Sequence, residues 1–407
     1  MNEGLVRPFA GLRPTPDKAS EVAAPPYDVL NTTEARQLAQ GKPWSFLHIS
    51  KPEIDLPEDI SPYDDAVYAK GAESLQRMIS DGILVQDSQP CYYIYRLKMG
   101  RHVQTGIVGG GSIEAYEQNR IKRHEFTRPD KEDDRVRQID VLNTQTGPVM
   151  AVHRPDQNLA SIVENVTREA PAYIVTGEGN VEHTLWVVSQ SDQITAIHDS
   201  FNAMDAIYIA DGHHRSAAAS RVAALRKDGG DSFLIVTFPA DEVQILDYNR
   251  VVKDLNELGK ADFLKAVEQT FTLTPQDNPY KPDAACTYGM YLDQQWYGLQ
   301  IKQPAPENNP VASLDISLLS DRLLSPVLAI GDPRVDKRID FIGGIRGLGE
   351  LEKRVDSGEW AVAFSLYPTS LSALMDVADA NEVMPPKSTW FEPKLADGLV
   401  SLVLNKN

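Results

Sequence analysis

Cysteine is nearly missing from this chain of 407 residues. Cys91 and Cys286 cannot build a disulfide framework or a four-sulfur metal site, and such sparing use fits a reducing cytoplasm. Both are expected as buried small hydrophobes. Long apolar runs are also missing: none approaches the ~20 residues that a membrane crossing needs. The opening Met1-Asn2-Glu3-Gly4-Leu5-Val6-Arg7 lacks the apolar stretch of a secretory signal. Positive charge is in deficit, with 40 Lys and Arg against 58 Asp and Glu and a formal net charge of −18. Nucleic-acid coating depends on cations that neutralise phosphates, so a DNA-binding role is disfavoured, while a local basic pocket for small anions stays open. No G-x-S-x-G elbow occurs and neither cysteine has a histidine beside it, so nothing local marks a nucleophile. Repeats, heptads and low-complexity tracts are lacking too. A soluble cytoplasmic protein acting on small molecules is expected, its oligomeric state left open.

What is present reads as mixed α/β. The proline-rich start, to about Pro62, is expected as an extended wrap with one helix near Thr33 to Gln40. Ser61 to Asp81 follows as a helix with Ala69, Ala72, Leu75, Met78 and Ile79 on one stripe. Tyr92–Leu97 and Val103–Val108 predict a β-hairpin. Gly109-Gly110-Gly111 does not fit a dinucleotide loop, because the G-x-G-x-x-G spacing within a strand-to-helix turn is missing. Strands are expected at Ala172–Thr176, Thr184–Val188, Ala206–Ala210 and Phe233–Phe238. From Ile339 to Ala380 the pattern is β-α-β-α, which predicts two strands paired in parallel. Three tightly packed segments are expected, 1–120, 121–260 and 261–407.

The chemistry concentrates in Ala206-Ile207-Tyr208-Ile209-Ala210-Asp211-Gly212-His213-His214-Arg215-Ser216-Ala217-Ala218. A short apolar run halts at Asp-Gly, and an alanine-rich helix opens on two histidines and an arginine; Ala218, Val222 and Leu225 fall on one seam of it. A helix's first turn has N–H groups without partners and the positive dipole end, so a phosphate or carboxylate docks there. Asp211, Gly212, His213, His214 and Arg215 are therefore candidate anion-binding residues. Cations in a first turn oppose the dipole, and a bound anion resolves that conflict. The competing reading has Asp211 capping the helix and the histidines satisfying nearby carbonyls. Adjacent histidines cannot chelate from one helical face, so zinc there needs ligands from elsewhere.

A second constellation runs from Lys122 to Arg135, where cations and carboxylates alternate. It reads either as a solvated helix face with i,i+4 pairs or as a clamp. In the clamp, Arg123, Arg128, Lys131 and Arg135 hold oxyanions, His124 and Glu125 form an acid/base pair, and Glu132 and Asp134 hold magnesium through water. The rigid turn Ala24-Pro25-Pro26-Tyr27-Asp28-Val29 lines a pocket or, more simply, ends the wrap. Met384-Pro385-Pro386-Lys387-Ser388-Thr389 is no Walker motif, since prolines replace the glycine cradle. Gly343-Gly344-Ile345-Arg346-Gly347 is an anion nest or a point of close packing.

On Arg7-Pro8-Phe9, Pro25–Val29, Arg123-His124-Glu125, Thr127–Glu132, Asp211–Arg215 and Met384–Thr389, the chain resembles the prokaryotic domain-of-unknown-function family numbered 1015 over nearly its whole length. Asp211–Arg215 followed by Ala218 is also similar to the box of the ParB/sulfiredoxin superfamily, especially its free-serine kinases, over one strand, one turn and one helix. The resemblance implies a ParB/sulfiredoxin-like mixed sheet with helices, and the length of 407 residues predicts that it is embedded in a larger architecture of two packed lobes. The resemblance also implies phosphate contact by Gly212, His213, His214 and Arg215. A kinase needs a carboxylate to deprotonate its acceptor, and Glu125 and Asp28 are proposed on chemical grounds alone.

The resulting expectation is small-molecule phosphoryl transfer, to or from a hydroxylated metabolite such as serine, with ATP or ADP and magnesium. His124, Glu125 and His214 would be catalytic. Asp211 to Arg215, with Arg123, Arg128 and Lys131, would hold phosphate, and Glu132 and Asp134 the metal. The alternative is a non-catalytic nucleotide switch of ParB-like type.

Overall fold

The computed structural model describes residues 4–226 and 230–404, so Met1 to Glu3 of the opening stretch lie outside it. Contacts divide the chain into two compact units, Met1–Val243 with Pro393–Asn407, and Gln244–Glu392. This grouping differs from three consecutive segments for two reasons: sheet pairing bridges residue 120, and the last segment returns to the first unit. Among the described residues no helix is long and apolar enough to cross a membrane.

The first unit is built on a nine-stranded mixed sheet. Its strands are β1 (Val6–Arg7), β2 (Tyr92–Met99), β3 (His102–Ser112), β4 (Ile121–Lys122), β5 (Val149–His153), β6 (Tyr173–Thr176), β7 (Glu182–Val188), β8 (Ile207–Asp211) and β9 (Ser232–Pro239). They are ordered β4-β8-β5-β9-β3-β2-β7-β6, with β1 also on β3. β4 and β8 run parallel, as do β5 and β9, and the other pairs are antiparallel. The expected hairpin forms, with Met99 opposite His102, and each of the four further strands expected in this region is present. Gly109-Gly110-Gly111 lies inside β3, where it opposes Ile235, Leu234 and Phe233 of β9. A Cβ on Gly109 would stand 2.4 Å from Val6 Cγ1, and one on Gly106 only 2.7 Å from the Thr237 carbonyl oxygen. These glycines let neighbouring strands close on β3.

Around the sheet, helix α1 (Thr32–Ala39) is held by a capping box: Asn31 Oδ1 accepts from the Glu34 N–H and Glu34 accepts from the Asn31 N–H, both at 2.9 Å. Short helices at Ala19–Val22 and Leu47–Ser50 give the wrap more helix than the single one expected. Helix α2 (Asp65–Ser80) begins after Asp64, whose side chain accepts from the Ala66 N–H at 2.9 Å. Its buried face carries Val67, Tyr68, Gly71, Leu75 and Met78, leaving Ala69 and Ile79 exposed. The stripe is rotated because Tyr68 turns inward to donate to Asp134 at 2.7 Å. Leu75 and Met78 join Phe46, Leu47, Ile49 and Leu142 in one apolar cluster. Helix α3 (Pro129–Leu142) starts with proline at its first turn, where a missing N–H costs nothing. The C-terminal segment then returns: Leu402–Val403 pairs with Thr144–Gln145, Asp397 bridges to Ala24, and the Ala396 N–H donates to the Tyr95 hydroxyl at 3.1 Å.

The second unit holds a six-stranded sheet of β10 (Tyr248–Val252), β11 (Phe271–Gln276), β12 (Thr287–Leu292), β13 (Gln295–Ile301), β14 (Ile339–Gly343) and β15 (Val362–Leu366). The order is β11-β13-β12-β15-β10-β14, and every pair is antiparallel. The β-α-β-α elements form as expected, but β14 and β15 do not pair, because β10 lies between them and is antiparallel to both. A helical crossover can skip one strand position, and an intervening strand from earlier in the chain fills it. A Cβ on Gly343 would meet the Trp390 ring at 2.7 Å, and one on Gly344 would meet Asp247 Oδ1 at 2.5 Å, so close packing explains these glycines. Lys387-Ser388-Thr389 is a turn whose Lys387 carbonyl accepts from buried Arg250 at 2.8 Å. Cys91 is buried as expected, whereas Cys286 is half-buried, and both are free thiols.

Two outcomes follow from this packing. Gly106→Ala is expected to destabilise by about 1–3 kcal/mol, because the new methyl meets the Thr237 carbonyl oxygen and the fully buried Phe238 ring; an unchanged thermal midpoint would contradict it. Burial holds His153 and His183 down to about 4, against about 6.5 in an unfolded chain. The unfolded state then binds more protons on acidification, so stability should fall as pH drops from about 6.5 towards 4. Melting curves across that interval check the sign, with His153→Phe expected to flatten the slope.

Candidate functional site

Strand β8 ends at Asp211, and Gly212 turns the chain into helix α4 (His213–Leu225) with φ 96°. Glycine reaches that left-handed region without strain, and a Cβ there would also stand 3.3 Å from Val149 Cα. Asp211 does not cap the helix, which has no side-chain cap bond. The Arg215 and Ser216 N–H groups reach the Gly212 carbonyl. Those of His213 and His214 sit at the head of the helix with no carbonyl a turn below them. Ala218 and Val222 are buried as expected, but Leu225, on the last helical residue, is 74% exposed.

Arg215 is the ionic centre of this turn. Its side chain is buried, Nη1 donates to the Pro148 carbonyl, and Nη2 reaches Asp28 Oδ2 at 3.4 Å and Asp211 Oδ2 at 3.3 Å. Burial opposes its charge, but Asp28 and Asp211 outweigh that and keep the guanidinium protonated. Lys394 Nζ stands 3.9 Å from Asp211 Oδ2. Burial alone would raise the Asp211 pKa; Lys394 and Arg215 overcome it and hold the carboxylate at about 2. Asp397 behaves oppositely. It is buried, and desolvation with help from Asp28 pushes it up to about 7 against the pull of Arg215.

A second guanidinium lies alongside. Arg135 spans the Tyr27 ring at 4.0 Å and pairs with Asp134 at 2.6 Å. Arg135 and Arg215 line one crevice with Tyr27, Ser50, Gln138 and Gly147, and the buried Ser50 hydroxyl has no hydrogen-bond partner. Tyr27 of the proline-rich turn therefore lines a pocket, whereas Asp28 instead reaches Arg215.

On the other side of Asp211, His124 and His213 meet edge to face with ring centroids 4.5 Å apart. Both are buried, and burial keeps both neutral, His124 at about 4 and His213 well below its ordinary value. Glu125 Oε2 lies 3.6 Å from His213 Nδ1. His214 turns elsewhere: its Nε2 accepts from the Arg128 N–H at 3.0 Å and ties the loop before α3 to α4.

The remaining expected residues are dispersed. Arg123 lies over the Tyr116 ring at 4.6 Å, Arg128 pairs with Asp130 at 2.8 Å, and Lys131 donates to the Tyr63 hydroxyl at 2.9 Å. Glu132 accepts from Thr127 and Arg221, whereas Asp134 accepts from Tyr68 and Arg135. Residues two apart on a helix do not face each other, so these carboxylates serve separate networks and do not converge on a cation. Lys394 and Asp397 escaped the sequence reading. They reach the turn through the C-terminal return, and no local pattern near Glu392 announces it.

A mixed α/β unit whose strand–glycine–helix turn gathers buried cations, carboxylates and imidazoles defines the class. The chain belongs to the family described as protein of unknown function DUF1015, whose model matches residues 6–317. The search of curated proteins found no match. Similar solved structures include a free serine kinase in complex with AMP, at 11% identity and TM-score 0.36 over 70% of this chain and 86% of that one. SbnI with C-terminal truncation from Staphylococcus aureus is similar at 9% identity and TM-score 0.39, over 71% and 84%. A conserved hypothetical protein from Pyrococcus furiosus is similar at 12% and 0.35, over 72% and 93%.

Removing the Arg215 side chain strands the carboxylates gathered around it. Arg215→Ala is expected to cost about 3 kcal/mol, the low end for breaking a buried ion pair because Asp28 and Asp211 reach solvent. Urea unfolding measures this, and an unshifted midpoint would show that the carboxylates do not need their shared cation.

Proposed function

We propose that the chain is an enzyme of small-molecule phosphoryl transfer that takes a nucleotide phosphate at the head of α4, with serine or a similar hydroxylated metabolite as acceptor. The Gly212 turn carries this reading: it leaves two helix-head N–H groups beside His214, with the loop holding exposed Arg128 tied to that same histidine. Phosphoryl transfer is mostly positioning and neutralisation of charge, and preorganised donors do both. Lys394 beside Asp211 and Arg128 on the loop tied to His214 supply positive charge, while buried Arg215 and Gly212 fix the turn itself. Glu125 and Asp28 are partly exposed carboxylates flanking the turn and suit proton removal from an acceptor hydroxyl. Phe126, 72% exposed beside Glu125, offers a ring for a nucleobase. Since Glu132 and Asp134 do not converge, magnesium on this reading comes with the nucleotide, held by phosphate oxygens and water, and Asp211 is the ionised carboxylate at the turn that suits it.

Incubation with serine, magnesium and ADP or ATP should yield phosphoserine. Nucleotide at 100 times its Kd should stabilise the fold by ~2.7 kcal/mol in thermal-shift measurements. Stabilisation without product would favour the nucleotide switch instead. Neither stabilisation nor product would overturn both readings.

A further inference from the structure

We propose that His124, Glu125 and His213 form a binding site for a divalent transition-metal ion, with zinc the ion that their donors and spacing fit. One donor atom from each of the three lies within 4.8 Å of the others. His124 and His213 are almost wholly buried, at 2% and 3% exposure, yet His124 Nδ1 and His213 Nε2 have no hydrogen-bond partner. Buried polar atoms are nearly always satisfied, so the orphaned His124 Nδ1 calls for a ligand; on the His213 ring it is Nδ1, rather than the orphaned Nε2, that faces Glu125.

The separations favour an ion over a proton. At 3.6 Å, His213 Nδ1 and Glu125 Oε2 are too far apart for a hydrogen bond. Two ligands on a tetrahedral ion with bonds of 2.0–2.2 Å stand roughly 3.3–3.6 Å apart. The Ile209 backbone hydrogen-bonds the His124 ring. Metal-bound histidines commonly engage a carbonyl through one nitrogen, which fixes the tautomer and presents the other lone pair.

The ligands come from two elements, the loop before α3 and the first residue of α4. This removes the objection that adjacent His213 and His214 cannot share an ion, because His124 takes the second imidazole position and His214 is turned to Arg128. Two imidazoles and one carboxylate suit zinc better than magnesium, which takes oxygen ligands, and they leave coordination positions open. Glu125, 47% exposed, gives an ion access from solvent. The site does not depend on the phosphoryl-transfer reading; with an ion bound, Glu125 becomes a ligand and Asp28 remains for the proton.

Chelator-treated full-length protein should be titrated calorimetrically with zinc chloride, and with cobalt chloride while its visible spectrum is followed. Wild type should take one zinc per chain, and cobalt should develop visible bands of low-symmetry coordination. Glu125→Gln, at a half-exposed position, should fold normally and bind at least about tenfold more weakly. His213→Asn should lose the site, and magnesium should not displace zinc. No zinc uptake by wild type, or equal uptake by folded Glu125→Gln, would overturn the proposal. If His213→Asn fails to fold, Glu125→Gln and the cobalt spectrum decide. Nucleotide thermal shifts in the presence of chelator examine the phosphate site separately.

Discussion

One guanidinium, that of Arg215, organises the first unit's site. It is buried, and its hydrogen bonds join the Pro148 carbonyl, the Asp28 turn and the end of β8. A buried arginine is tolerable only if its charge is matched and its N–H groups are satisfied, and the price is a set of carboxylates that themselves depend on it. Asp211 stays ionised because Lys394 and Arg215 face it; Asp397, deeper and less well matched, does not follow. The same ion network therefore holds three distant chain segments together and sets two carboxylates at very different proton affinities.

Gly212 makes that arrangement possible. Its left-handed backbone lets β8 turn directly into α4 while Val149 passes close by. The turn divides labour between neighbours: Arg215 goes into the interior, His214 tethers the loop before α3, and His213 turns towards His124. Charge that looks concentrated in five consecutive residues is spread over three environments. The first N–H groups of the helix have no carbonyl a turn below them, and the His124 and His213 imidazoles each hold a buried nitrogen without a partner.

Much of the fold was legible in the residues. The hairpin at 92–108, the strands near 172, 184, 206 and 233, and the helix after Gly212 all carry local signals: alternation, glycine stops and apolar spacing. Partnership was less legible. Helix α2 was expected with Ala69 and Ile79 inside, yet Tyr68 claims the inner face because its hydroxyl finds Asp134. Glu132 and Asp134 seemed a metal pair in a dense charge run, but helical geometry sends them to different partners. The pairing of β14 with β15 failed because β10, earlier in the chain, occupies the place between them.

Sequence by itself determined the hairpin at 92–108, the strands near 172, 184, 206 and 233 and the helix after Gly212, singled out the Asp211–Arg215 turn as a candidate site, and showed no long apolar span, because these depend on neighbours a few residues away. Tertiary structure alone decided that Lys394 and Asp397 reach that turn and that His124 meets His213. It also decided that Tyr27 lines a pocket. Those juxtapositions arise from sheet order and from the return of the last segment to the first unit. Contacts between residues far apart in the chain leave no periodic trace in either stretch.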